Sequence, residues 1–202
     1  MIISHKHQFI FVKTKKTAGS TLEKLLYPYL GEFDVITGSE RDGTPRKNTS
    51  SNNGHLSWRQ IETAHPHEWR EYYKFTIERN PWDKVVSSYF WHQKIKPERF
   101  SEMPFEEYVM TCDLLPVDWL NYARGNRIMV DNVWFYENMD DMYSELNDLF
   151  GLDITQEEYT TTKCKAGIRK IDSYKELHNA KTIDQVRELF ANEIKYLGYQ
   201  YE

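Results

Sequence analysis

The sequence predicts a single α/β domain, residues 1–202, with a mainly parallel central sheet flanked by helices. Three observations predict it. Short apolar runs of strand length alternate with stretches that repeat their apolar residues at helical spacing. The boundaries between them carry caps and stops, such as Asn80-Pro81 before one helix and Gly151 after another. The 202 residues show no internal repeat and no linker, which fits one domain.

The elements follow in order. Residues 8–13 (Gln-Phe-Ile-Phe-Val-Lys) read as a short buried strand, and a helix is expected from near Ser20. Leu22, Leu25, Leu26, Tyr29 and Leu30 fall on one face of that helix, and Gly31 is its stop. A second strand is expected at 33–37. Residues 38–54 are rich in Gly, Ser and Asn and cannot build core, so they form either a surface loop or a lid. A short helix is expected at 57–63 and a third strand at 73–78.

Asn80 then serves as N-cap, Pro81 fits the first helical position, and Asp83 lies in the first turn. Trp82, Val85, Val86, Tyr89 and Phe90 form the core-facing stripe of that helix. Further expectations are a helix near 104–111, a strand at 132–136, a helix at 139–150, an irregular basic stretch at 160–175 and a last helix at 182–197.

Composition narrows the function classes. Hydrophobic residues make up 40% and aromatics 15%, enough for one real core. The net charge is −5, from 26 basic and 31 acidic residues, so no global basic field points to nucleic acid. Any anion site must be local. Neither Cys112 nor Cys164 sits in a metal-type pair; free thiols are expected, with a disulfide between the two as the alternative. The N-terminal apolar run is too short for a signal peptide, and nothing approaches a membrane span, so a soluble cytoplasmic protein is expected.

Two segments carry chemistry. The first is Lys13-Thr-Lys-Lys-Thr-Ala-Gly-Ser-Thr21, a strand end, a small-residue turn and a helix start. In such a turn free amides and the positive end of the helix dipole meet an anion. Thr17, Ala18, Gly19, Ser20 and Thr21 keep the approach open and supply hydroxyls, and Lys15 and Lys16 supply charge. A Walker loop would place its lysine after the last glycine, whereas Lys16 precedes Gly19. Alone, the segment fits either an anion site or an ordinary strand-to-helix turn.

The second segment is Glu78-Arg-Asn-Pro-Trp-Asp-Lys-Val-Val-Ser-Ser-Tyr89. Arg79 can grip a phosphate bidentately, and Ser87, two turns into the helix, can donate to the same group. Arg79 could equally pair with a carboxylate while Ser87 packs.

Together the two segments resemble the sulfotransferase superfamily, whose members use 3′-phosphoadenosine 5′-phosphosulfate (PAPS). Lys15–Thr21 resembles its 5′-phosphosulfate loop, with Lys15 where many members have proline. Residues 78–89 resemble its 3′-phosphate motif, with Ser87 eight residues after Arg79. Asp118-Trp119-Leu120, Phe135-Tyr-Glu-Asn-Met139 and Glu193-Ile…Gly198-Tyr199 resemble the branch containing carbohydrate 2-O-sulfotransferases and short bacterial and viral homologues.

The resemblance implies a fold like that of P-loop NTPases and transfer of a sulfuryl group from PAPS to an acceptor hydroxyl, with 3′,5′-adenosine bisphosphate (PAP) as product and no metal. It implies Lys16 at the leaving oxygen, the 15–21 loop on the 5′ end, and Arg79 with Ser87 on the 3′-phosphate. It also implies a histidine base between the two motifs, a position that His55 fills. His55 could instead line the following helix, and Glu78 is the fallback base. Basic segment 163–170 is either a solvated loop or a flap over the nucleotide, with Lys165, Arg169 and Tyr174 as candidates.

His65-Pro-His67 reads as a surface turn rather than a metal pair. Trp58, Trp91 and Trp119 either line a glycan cleft or pack. The acceptor expected by family analogy is a glycan hydroxyl, and the oligomeric state is open. A nucleotide kinase lacks support here because Gly-Lys-[Ser/Thr] is missing; a non-catalytic nucleotide- or glycan-binding member is the other alternative.

Overall fold

The structure, a computed structural model, describes residues 1–40, 43–49, 51–162 and 167–202. In chain order its elements are β1 (Ile2–Ser4), β2 (Phe9–Phe11), α1 (Gly19–Leu26), β3 (Val35–Ile36), α2 (Trp58–Ala64), α3 (Pro66–Glu71), β4 (Tyr73–Glu78), α4 (Pro81–Ile95), α5 (Pro97–Phe100), α6 (Phe105–Thr111), α7 (Trp119–Tyr122), β5 (Ala123–Arg124), β6 (Arg127–Ile128), β7 (Asn132–Phe135), α8 (Met139–Phe150), α9 (Gln156–Thr161), α10 (Ala180–Leu189) and α11 (Ala191–Leu197). Two compact units result, residues 1–78 with 120–164 and residues 79–119 with 165–202. No helix among the described residues is long and apolar enough to cross a membrane.

The first unit holds the sheet, in the order β3-β1-β2-β4-β7. β2 pairs with β4, and β4 with β7, in parallel, while β1 lies antiparallel to both β2 and β3. Four of the five strands therefore share one direction and β1 is reversed. That gives the mainly parallel α/β architecture expected.

β1 itself escaped the sequence reading. It is only three residues long, too short for a period to show. Its turn into β2 is fixed by Asp34, which accepts from the Ser4 hydroxyl (2.7 Å) and the amides of His5 (2.8 Å), Lys6 (3.1 Å) and Gly31 (2.9 Å). Burial pushes the Asp34 carboxyl up, but these donors outweigh it and hold its pKa below the usual value. The core beneath the sheet contains Phe9, Phe11, Leu22, Leu26, Ile36, Phe75, Ile77, Trp134, Met142 and Leu146.

Helix α1 is shorter than its apolar stripe suggests. Pro28 cannot continue an α-helix, and Tyr27–Tyr29 form a 3₁₀ turn instead. α2 begins on a capping box in which Ser57 accepts from the Gln60 amide and the Gln60 side chain from the Ser57 amide. His65-Pro66-His67 lies at the junction of α2 and α3, where His65 ends the first helix and Pro66 takes the first position of the second. α8 ends at Gly151, whose φ of 60° is the left-handed cap that glycine adopts without strain.

The second unit is helical. Asn80 caps α4 by accepting from the amides of Trp82 (3.1 Å) and Asp83 (3.4 Å). Trp82, Val85, Val86, Tyr89, Phe100, Tyr108, Val186 and Phe190 build its core. The helix expected over 182–197 is two helices, α10 and α11, that meet at the fully buried Phe190. Deep in this unit, Lys84 pairs with Asp118 at 3.1 Å with both side chains wholly buried.

His178 shows how burial couples this unit to pH. Its Nε2 donates to the Trp82 carbonyl (3.2 Å), and its Nδ1 lies 3.1 Å from the Thr182 hydroxyl. Burial lowers its pKa, opposed by the Trp82 bond and the charge on Asp83. The unfolded chain therefore takes up this proton first. The stability contributed by neutral His178 is present above about pH 6.5 and is lost as pH falls through the lowered folded value. Thermal melts between pH 7 and 5.5 are expected to show a drop in midpoint that is smaller in His178→Phe; equal drops would remove His178 as the cause.

Candidate functional site

The first unit carries the segment that leads from β2 into α1. Val12 donates to the Phe75 carbonyl at 2.8 Å and keeps the chain on the sheet. Thr14 then bonds the Ile77 carbonyl through its hydroxyl, and its Oγ1 lies 2.9 Å from that of Thr17. These bonds pin a turn in which Lys16 (φ 62°) and Ala18 (φ 59°) adopt the left-handed region. Neither is glycine, so each costs about 1–3 kcal/mol, strain of a kind that gathers at ligand sites. Ala18 is the N-cap of α1 and offers no capping side chain, and the first turn of the helix carries no acidic residue. A helix start without a capping side chain or an acid favours an anion on electrostatic grounds.

Lys13, the first lysine of the segment, is engaged within the fold. It is buried, and its Nζ donates to Glu23 Oε2 (2.7 Å) and Ser20 Oγ (3.2 Å). Its stem runs under Gly19, where an added Cβ would come within 2.8 Å of Lys13 Cγ. The glycine of the loop is therefore required by packing, since Gly19 begins a regular helix and any side chain there meets the lysine stem. Lys15 and Lys16 are half-buried, and Thr17, Ser20 and Thr21 are buried.

His55 belongs to the same unit and meets the start of this loop. Its Nδ1 lies 3.0 Å from the Lys13 carbonyl, and its amide donates to Asn53 Oδ1 at 2.9 Å. A carbonyl only accepts, so Nδ1 carries the proton. The neutral ring then keeps its lone pair on Nε2, the tautomer a base needs. Glu78, the fallback base, is fully buried at the end of β4.

The described part of 38–54 is anchored as it approaches His55. Arg46 donates to Glu23 Oε2 (3.1 Å) and the Thr37 carbonyl (3.2 Å), Lys47 to the Gly31 carbonyl (2.7 Å), and Asn48 to the Asp34 carbonyl (2.9 Å).

The second unit carries Arg79, Ser87, Arg169 and Tyr174. Arg79 donates from Nε (2.9 Å) and Nη2 (2.6 Å) to Asp83 Oδ2. Arg169 donates from Nη1 to Asp83 Oδ1 at 2.5 Å. One carboxylate thus gathers two guanidinium groups at the first turn of α4. Ser87 is half-buried one turn further along the same helix. Tyr174 begins a 3₁₀ turn and donates to the Glu202 carbonyl at 2.7 Å. Lys165 and Cys164 lie outside the described residues.

A family model described as the sulfotransferase family matches residues 1–200. The chain belongs to the sulfotransferase family. Membership makes it an enzyme that uses PAPS as sulfuryl donor. The crystal structure of mouse sulfotransferase SULT7A1 complexed with PAP superposes with a TM-score of 0.57 over 96% of this chain and 86% of that one. Sequence identity there is 12%, so the likeness shows the fold. An uncharacterized protein of Archaeoglobus fulgidus is 28% identical over 106 residues, 50% of this chain and 85% of that one.

Sequence reasoning missed two parts of this sulfotransferase. The sequence marks Asp83 only as a first-turn acid, although an acid four residues after Arg79 is at a helical pairing distance. Glu23 was not singled out, although it interrupts the inward stripe of α1 between Leu22 and Leu25. Of the tryptophans proposed for a glycan cleft, Trp58 and Trp119 are buried, and Trp58 donates to the Ala123 carbonyl at 3.1 Å. Trp91 is half-buried. Among the described residues, no group of three or more His, Cys, Asp or Glu is placed to hold a metal ion.

Proposed function

We propose that this sulfotransferase moves the sulfuryl group of PAPS in line onto a carbohydrate hydroxyl, with His55 as base. The acceptor proton passes to His55 Nε2 as the acceptor oxygen bonds to sulfur. The bond from sulfur to the bridging oxygen breaks, and its electron pair stays on that oxygen of PAP. Lys16 offsets the charge that grows there. The amides of 17–21, with Ser20 and Thr21, hold the 5′ end. Arg79, Ser87 and Arg169 hold the 3′-phosphate. The chain acts in the cytoplasm, with Cys112 as a buried free thiol.

The observation that carries the reading is the His55 Nδ1 bond to the Lys13 carbonyl at 3.0 Å. It fixes the basic tautomer at the strand end from which the phosphate loop begins. Likeness of several segments to the carbohydrate 2-O-sulfotransferase branch supports the acceptor class.

The test is a screen of acceptors with sulfur-labelled PAPS, pitting desulfated glycosaminoglycans against tyrosyl peptides, simple alcohols and amines. Labelling confined to the last three overturns the carbohydrate assignment. With the acceptor in hand, His55→Ala is expected to cut turnover by about 10²–10⁴-fold while PAP affinity stays at the wild-type value. Unchanged turnover would move the role to Glu78.

A further inference from the structure

Glu23 is wholly buried on the inward side of α1, and two cationic side chains, Lys13 and Arg46, converge on it together with the Met1 amine, whose pKa burial lowers to about 5. Lys13 Nζ reaches its Oε2 at 2.7 Å and Arg46 Nη1 reaches the same oxygen at 3.1 Å. The Met1 amine reaches Oε1 at 3.3 Å and also donates to the Gly54 carbonyl at 2.8 Å. A buried carboxylate is held only if its partners are held with it. Burial pushes the Glu23 pKa up, but the Met1 amine, Lys13 and Arg46 outweigh it and keep the carboxylate ionised.

The partners share one destination. Lys13 is the residue whose carbonyl takes the Nδ1 proton of His55. Arg46 sits in the segment that runs into His55 and ties that segment to the Thr37 carbonyl at 3.2 Å. Gly54, held by Met1, directly precedes His55. Glu23 therefore touches the residue that orients the ring and the segments that deliver it, while its own helix presents the phosphate loop.

We propose that Glu23 is the positioning residue for His55: its carboxylate clamps Lys13 and Arg46 so that the imidazole is held as the Nδ1–H tautomer beside the loop from Lys13 to Thr21. The proposal rests on the reading of His55 as base. Glu23 touches no reacting atom. Its effect passes through the geometry of the Lys13 carbonyl and the Arg46 segment.

The test reads the ring directly. Long-range proton–nitrogen NMR on the full chain reports which nitrogen of His55 is protonated, and calorimetry with PAP reports the phosphate loop. Wild type is expected to show one neutral tautomer, Nδ1–H. Glu23→Gln keeps the shape and removes the charge, and is expected to give a mixture of tautomers with PAP affinity unchanged. Arg46→Met, which leaves the Lys13–Glu23 pair in place, is expected to loosen the tautomer as well. Arg46→Lys is expected to restore it.

A single Nδ1–H tautomer in both Glu23→Gln and Arg46→Met overturns the proposal. So does a loss of PAP binding that accompanies the tautomer change, because Glu23 would then support the whole loop. Should Glu23→Gln fail to fold, the Arg46 pair decides alone. None of these readouts needs catalysis, so a failure of the His55→Ala turnover test removes the base reading and remains distinguishable from a failure here.

Discussion

Lys16→Ala is expected to lower sulfuryl transfer by about 10²–10³-fold, equivalent to roughly 2.7–4 kcal/mol of transition-state stabilisation. The charge at issue appears on the bridging oxygen only as the bond to sulfur breaks. A group that meets it there lowers the barrier without tightening ground-state binding by the same amount. PAP release from labelled PAPS, with the acceptor found in the screen, measures the effect. The fold should survive. Lys16 is half-buried, Thr14 ties the turn to the Ile77 carbonyl and to Thr17, and alanine at φ 62° is no more strained than lysine. A thermal midpoint close to wild type, together with the loss of transfer, assigns the effect to chemistry. Lys16→Arg is not expected to rescue, because a planar fork replaces a compact point charge. Wild-type transfer in Lys16→Ala would take the leaving-group role away from this residue.

The parts of the fold that the sequence announces are those with local chemistry. Strand 73–78 and the helix after it are legible because Asn80 and Pro81 punctuate the chain, and Asn80 does cap the helix through its side chain. The helix from Met139 to Phe150 was legible from its stripe and from Gly151. Where punctuation is missing, the reading fails. Ile183, Val186, Leu189, Phe190, Ile194 and Leu197 keep helical spacing across the break at Phe190, so nothing in the pattern marks it. β1 is made only by its pairing with β2 and β3, a tertiary fact.

The site divides in the same way. The candidate loop 13–21 and the Arg79–Ser87 segment are each contiguous in sequence, so type and spacing single them out. The contacts that order them are not contiguous. Arg169 meets Asp83 across a separation of 86 residues, and Arg46 meets Glu23 across 23. A charged residue in a sequence does not name its partner, and most such residues stay in solvent. The burial of Glu23 and Lys13 is what turns ordinary charges into a network, and burial is set by the fold.

Arg79→Ala is expected to weaken PAP binding by about a hundredfold while leaving adenosine 5′-phosphosulfate, which has no 3′-phosphate, bound as in wild type. A charge-assisted contact is worth up to about 3 kcal/mol, and each 1.4 kcal/mol is about tenfold in affinity. The geometry adds a reason for the size of the effect. Asp83 holds Arg79 by two bonds and Arg169 by one, so both guanidinium groups are oriented before any ligand arrives. A preorganised arginine loses little freedom on binding. Its removal also leaves Asp83 with less positive charge around it, which disfavours a nearby phosphate. Lysine at position 79 is expected to recover little, since one ammonium cannot reproduce the two bonds from Nε and Nη2 to Asp83. Calorimetry on both ligands, at one fixed ionic strength, separates the outcomes. Equal affinities of wild type for PAP and for adenosine 5′-phosphosulfate would place the 3′-phosphate elsewhere. A parallel loss for both ligands in Arg79→Ala would make the arginine a support of α4 and not a reader of the 3′ group.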